Sequence, residues 1–135
     1  MKITQANIPK EALVKSVTNK SGGSLAEGDV VIWDEDNDNA VALAASRGDE
    51  QVAGVVNVGG ADNAFITIIT HGYAAKVLTD LAEGVGRGYY IFTETASKYA
   101  MTSAYEGPGN FGIALTHADV NGYVSAIIGL QSENY

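Results

Sequence analysis

Apolar residues in this chain fall into short runs separated by clusters of Gly, Asn and Asp. Residues 30–33 (VVIW), 40–45 (AVALAA), 52–56 (VAGVV) and 65–70 (FITIIT) form one series of such runs. Residues 89–92 (YYIF), 99–103 (YAMTS), 111–116 (FGIALT) and 123–128 (YVSAII) form a second. Runs of this length, rich in β-branched and aromatic residues and bounded by turn formers, predict β-strands. The runs at 65–70 and 123–128 are almost continuously apolar, a pattern of strands covered on both faces. No window longer than about ten residues carries a 3.6-residue period. Residues 77–83 fit a single helical turn or, equally, a strand end followed by a turn.

The two series repeat one another. Leu25-Ala26-Glu27-Gly28 recurs as Leu81-Ala82-Glu83-Gly84, and Ile32-Trp33-Asp34-Glu35 is echoed by Ile91-Phe92-Thr93-Glu94. Val52-Ala53-Gly54-Val55-Val56 matches Asn110-Phe111-Gly112-Ile113-Ala114, and residues 64–69 match 122–128. Four blocks in the same order indicate a duplication, with units at about 25–78 and 81–131. This alignment makes Trp33 and Phe92 equivalent and gives both a core role. The expected fold is all-β: a compact antiparallel sandwich or small barrel built from an internal duplication.

Residues 1–24 stand apart from this β domain (25–135). They hold four lysines (Lys2, Lys10, Lys15, Lys20) against one acid, Glu11, a net +3. The remainder carries four cations and fifteen acids, a net −11, within a chain total of −8. The segment ends in Ser21-Gly22-Gly23-Ser24, a hinge by composition. It reads as an extended N-terminal arm, with residues 10–17 a strand or a short helix opened by Pro9. Such an arm either folds back on the acidic body or docks on another chain, and Lys2, Ile3, Ile8, Lys10, Leu13 and Lys15 are the docking candidates.

Composition narrows the chemistry. The 135 residues include 16 Gly, 2 Pro and no Cys, and 46% are hydrophobic. Disulfides, thiolate metal sites and cysteine nucleophiles are thereby excluded. The acidic balance argues against nucleic acid as a partner, because phosphate neutralisation needs clustered Lys and Arg. No apolar run reaches the roughly 18 residues of a membrane span, and the first residues lack the apolar core of a signal peptide. Asp34, Asp36 and Asp38 begin like a calcium loop, but Asn39 and Ala45 stand where that loop needs Gly and Glu, so a solvated turn is the better reading. His71 and His117 fall at different points of the repeat and have no ligand partners by spacing. Gly84-Val85-Gly86-Arg87-Gly88 lacks the Lys-Ser/Thr ending of a phosphate loop and precedes a strand, which makes it a strand-entry turn. No catalytic constellation, cofactor motif or metal site emerges, and a non-enzymatic role is expected. Tyrosines concentrate in the second half; Tyr89, Tyr105 and Phe111 are candidate subunit contacts, or strand aromatics packing across a sheet.

The order of elements also carries a resemblance. Gly28-Asp29-Val30-Val31, Gly54-Val55-Val56, Thr70-His71-Gly72, Gly88-Tyr89-Tyr90-Ile91 and Phe111-Gly112-Ile113-Ala114-Leu115 succeed one another as in the capsid decoration, or cement, proteins of tailed bacteriophages. The chain resembles that family over about residues 25–131, through short motifs that transfer no functional residue. The resemblance implies a virion protein on the capsid surface, with the major capsid protein as partner. It further implies a homotrimer that clamps neighbouring capsid subunits and an arm that docks. A receptor- or glycan-binding module of a viral fibre or tail is the alternative, predicting aromatic side chains at a distal surface. An enzyme would instead place a histidine beside a carboxylate in a pocket.

Overall fold

The computed structural model describes residues 11–44, 51–79, 87–93, 100–103, 107 and 109–129. Among these the chain is all-β. The first five strands are β1 (Ala12–Asn19), β2 (Val30–Trp33), β3 (Ala40–Ala42), β4 (Val52–Val58) and β5 (Phe65–Leu78). β6 (Tyr90–Thr93), β7 (Ala100–Ser103), β8 (Gly112–Ala114) and β9 (Tyr123–Ile128) follow. They join in the order β1-β3-β2-β4-β5-β9-β8-β6-β7, and β1 pairs in addition with β5. That extra pairing closes β1-β3-β2-β4-β5 into a five-stranded ring. A second ring runs β5-β9-β8-β6-β7 and returns through a parallel bridge from Thr79, just past β5, to Ala100. Of the two architectures the sequence allows, small barrels are the ones formed.

β5 belongs to both rings. The sequence predicts a strand of six residues here, and the structure has one of fourteen. Its first half pairs with β1 and β4, and its second half pairs with β9. The halves meet at Gly72, whose φ of 103° is a left-handed conformation that favours glycine. A Cβ there would lie 2.4 Å from the Glu11 carbonyl oxygen. The second half of β5 therefore plays in the second ring the part that β1 plays in the first. Asn19 N donates to Ala64 O (2.9 Å) at the end of β1, and Thr79 N donates to Gly122 O (2.8 Å) at the end of β5. Asn19 meets Val41 in parallel as Thr79 meets Ala100. The structural repeat thus begins at β1, before the unit that the sequence marks from residue 25.

Ladder registers place the duplication residue by residue. Val31 faces Gly54 and Ile91 faces Gly112. The first strands of the units are therefore offset by 60 residues and the glycine strands by 58. This corrects two sequence matches. Gly28, with φ 96° and its N–H donating to Val56 O, corresponds to Gly88, with φ 88° and its N–H donating to Ala114 O, and not to Gly84. Trp33 corresponds to Thr93 and Ile32 to Phe92. A slip of one residue moves a side chain to the opposite face of a strand. Trp33 accordingly packs against the interior of the first ring, while Phe92 lies on the other face of its sheet.

Each ring has its own filling. Val17, Val31, Val41, Val56, Ile66 and Ile68 occupy the first. Their register counterparts Val77, Ile91, Ala100, Ala114, Val124 and Ala126 occupy the second. Three outward residues of the first ring, Val30, Val55 and Ile69, are buried with the second cluster and join the two units. Gly54 and Gly112 are also counterparts, and both mark a close crossing of backbones. A Cβ on Gly54 would stand 2.1 Å from Ile69 O, and one on Gly112 would stand 2.6 Å from Ile127 O.

The residues after β1 are bound into the first ring as well. Asn19 is fully buried, and its Nδ2 donates to the carbonyls of Gly23 (2.9 Å), Gly60 (3.1 Å) and Ala61 (3.1 Å). Its Oδ1 accepts from Ser21 N at 2.9 Å. One side chain thus folds the Ser-Gly turn against the β4–β5 connection, so residues 19–24 form a fixed corner where the sequence predicts a hinge. Replacing Asn19 with alanine removes the amide that ties these carbonyls together and leaves each its one other donor, Ser21 Oγ on Gly23, Leu25 N on Gly60 and Ala64 N on Ala61. It is expected to cost about 2–3 kcal/mol in urea unfolding, more than any exposed substitution in the same turn.

Candidate functional site

β1 pairs along Ala12–Thr18 with β5 but meets β3 only at Thr18 and Asn19. Among the described residues, the far edge of the strand before Thr18 receives a single bond, from Asn39 Nδ2 to Ser16 O at 3.2 Å. Such an edge presents backbone donors and acceptors to an incoming strand. Its side chains are open too: Leu13 is 65% and Val14 52% exposed, and Lys15 is exposed.

The edge continues onto an apolar face. Paired residues of neighbouring strands share a face. Val14 lies opposite Ile69, Ser16 opposite Thr67 and Thr18 opposite Phe65, while Thr67 faces Val58 across β4. The outer face of β4-β5-β1 therefore displays Val58, Phe65 and Val14 across three strands, about 10 Å wide, with Val14 four residues, about 13 Å, along the strands from Phe65. Phe65 is 82% and Val58 61% exposed. Val58 is held by its N–H, which donates to Thr67 Oγ1 at 3.2 Å. Lys20 borders this face, its Nζ donating to Asn63 Oδ1 at 2.9 Å, and the exposed Lys15 projects from the other side of β1, opposite to Val14. The ensemble is an open strand edge, an apolar face and two cations, suited to an extended acidic segment.

Leu13 and Lys15 are the predicted docking residues that lie on this site. Lys2, Ile3, Ile8, Lys10 and Tyr105 lie outside the described residues. Tyr89 is half-buried at the entry to β6, where its carbonyl accepts from Ala114 N at 2.8 Å. Phe111 is corrected: at 1% exposure it belongs to the interior of the second ring and presents nothing to a neighbour. Val14, Val58 and Phe65 are the residues that sequence reasoning missed. The signal was present in the two-residue alternation of β5, which puts Phe65 and Thr67 opposite the interior pair Ile66 and Ile68. Reading the run as covered on both faces hid it.

The remaining candidates serve the backbone. Asp34 Oδ1 accepts from the N–H groups of Asp36 (2.7 Å) and Asn37 (3.1 Å), closing the acidic turn on itself. In the second unit Asp119 Oδ1 accepts in the same manner from Asn121 N (2.9 Å) and Tyr123 N (3.0 Å). The described residues hold no group of three or more His, Asp or Glu placed to bind a metal ion. His71 is exposed in mid-β5, its Nδ1 3.2 Å from Thr70 Oγ1, and His117 is exposed after β8. No helix among the described residues is long and apolar enough to cross a membrane.

No protein-family model matches this chain, and no curated protein sequence matches it. Among solved structures, the chain is similar to the N base of the head fiber gp8.5 of bacteriophage phi29. The TM-score is 0.63 at 12% sequence identity, covering 93% of this chain and 100% of the other. The fold described above is therefore shared with the base of a phage head fiber.

Proposed function

We propose that this chain is a structural protein of a phage head, bound to the outside of the capsid through β1 and its flanking face. The observation that carries the proposal is the likeness in fold, over nearly the whole chain, to a head-fiber base. The open edge of β1 supplies the chemistry. An extended capsid segment adds a strand beside Ala12–Ser16, with Leu13 and Val14 covering apolar side chains and Lys15 meeting a carboxylate. A contact that spans two neighbouring major capsid subunits clamps them, and a protein that binds only the assembled shell stabilises the shell by mass action. Neither step needs a cofactor or bond-making chemistry.

The test uses DNA-free heads of the encoding phage, stripped of this protein, with sedimentation to read occupancy. The parent protein is expected to saturate the heads and raise their thermal disruption temperature. Leu13→Asp combined with Val14→Asp places like charges on the edge and is expected to weaken binding by at least tenfold, a loss of about 1.4 kcal/mol or more. Unchanged occupancy by the double variant would refute the assignment of this edge. Binding to host cells or glycans but not to heads would transfer the chain to the receptor-binding class.

A further inference from the structure

The duplication makes the two rings comparable surface by surface, and one surface differs in what covers it. In the first ring Val30, Val55 and Ile69 form a row across β2, β4 and β5, each paired with the next. They point out of their own ring and are buried to 0%, 0% and 9% exposure because the second ring lies on them. Ladder equivalence gives the matching row of the second ring: Tyr90, Ile113 and Ile127, again each paired with the next, across β6, β8 and β9. All three point outward, since their neighbours Ile91, Ala114, Ala126 and Ile128 fill the interior. All three remain partly exposed.

We infer that the Tyr90–Ile113–Ile127 row is a self-association surface, covered in solution by a second copy of this chain. The argument rests on continuity with the interface inside the molecule. The same row, on the same scaffold, is covered in the first ring by a unit of this very fold. The second ring keeps the row apolar at each of the three positions, and enlarges it with an aromatic ring where the first has Val30. An outward strand position with no partner ordinarily carries polar residues, and β9 shows that alternative one step along, at the half-buried Ser125. Tyrosine suits the centre of an interface, because it buries a large area and still presents a hydroxyl. The contact joins unlike surfaces, as the internal one does, so repeated copies either close into a cyclic assembly or extend. This surface is separate from the β1 edge, and the inference stands whether or not that edge binds capsid.

Light scattering on the purified full-length chain, coupled to size exclusion over a range of concentrations, tests the inference. The parent is expected to run as an oligomer. Ile113→Glu is expected to weaken self-association by at least about tenfold and shift the mass to the monomer. The conservative changes Tyr90→Phe and Ile113→Val keep the oligomer, as does Val120→Glu, which alters a residue 90% exposed elsewhere. Circular dichroism checks that each variant is folded; if Ile113→Glu is not, Ile127→Thr, polar yet β-branched, takes its place with the same expectation. A monomeric parent overturns the inference, and so does an oligomer untouched by a folded Ile113→Glu or Ile127→Thr chain. Loss of head binding by a monomeric Ile113→Glu protein, with a monomeric parent, would assign the row to the capsid instead.

Discussion

Gly54→Ala is expected to lower stability by about 3 kcal/mol or more, because the added methyl meets the backbone of the strand that joins the two rings. The added Cβ would sit 2.1 Å from the Ile69 carbonyl oxygen, 3.0 Å from its carbon and 3.4 Å from the Thr70 Cα. These are backbone atoms of β5, the strand both rings share, so no rotamer change relieves the contact. β4 must move off β5, and that opens the ladder between Val55–Ile69 and Val56–Ile68. Both clusters are affected, since Val55 and Ile69 belong to one and Val56 and Ile68 to the other. In thermal unfolding the midpoint should fall by about 10 °C or more. Gly112→Ala, with its Cβ 2.6 Å from Ile127 O, should act in the same direction but more weakly, on a crossing within the second ring. Gly23→Ala meets nothing within 4 Å and is expected to stay within about 0.5 kcal/mol of the parent. A Gly54→Ala chain melting alongside Gly23→Ala would disprove the close crossing.

Deleting residues 1–19 is expected to abolish cooperative folding of the first ring. β1 supplies a ladder of seven register pairs with β5 and both contacts to β3, so its loss turns a closed ring into a sheet with two bare edges. Val17, fully buried, contributes about 1.5–3 kcal/mol by burial alone. Ile66 and Ile68 lose their cover opposite it, and the carbonyls of Gly23, Gly60 and Ala61 lose the Asn19 amide. Together these losses rival the ~5–15 kcal/mol that holds a domain of this size. Circular dichroism should show reduced β content, and a dye that binds exposed apolar surface should bind strongly. A peptide spanning residues 11–20 is expected to restore the parent spectrum by re-entering the ring. Leu13→Ser and Lys15→Ala, in the exposed first half of the same strand, should leave the unfolding midpoint nearly unchanged. A deletion chain that unfolds like the parent would show β1 to be an appendage. The contrast also bears on function: loss of head binding by the deletion chain would reflect an opened ring, so docking by this segment has to be tested with the exposed side chains.

Much of this was legible along the chain. Strand positions followed from the runs of Val, Ile, Tyr and Phe between Gly, Asn and Asp. The pairing of Gly54 with Gly112 was visible as a repeat spacing of 58, and the structure gives both the same crossing. The run of Asp and Asn at 34–39 spells a turn, and Asp34 closes it. Two matches misled. Leu-Ala-Glu-Gly recurs at a spacing that ladder register does not follow, and Trp33 and Phe92 look alike but face opposite ways. Local identity cannot report on register, because a single extra residue in a turn reverses every following side chain. Nor does the face proposed for binding announce itself. Phe65 sits in a nearly continuous apolar run, and it is exposed because the second ring covers Val55 and Ile69 but not the start of β5.

The sequence by itself determined the all-β class, the turns, the duplication and the absence of cysteine chemistry, because these depend on residue type and short spacing. Tertiary structure decided that the basic N-terminal stretch carries a structural strand, that one strand of fourteen residues serves two rings, and which apolar residues remain outside. Those outcomes depend on pairing between segments tens of residues apart, where the free energy lies in closing a ring and covering its interior. No local pattern encodes which distant edge will be met.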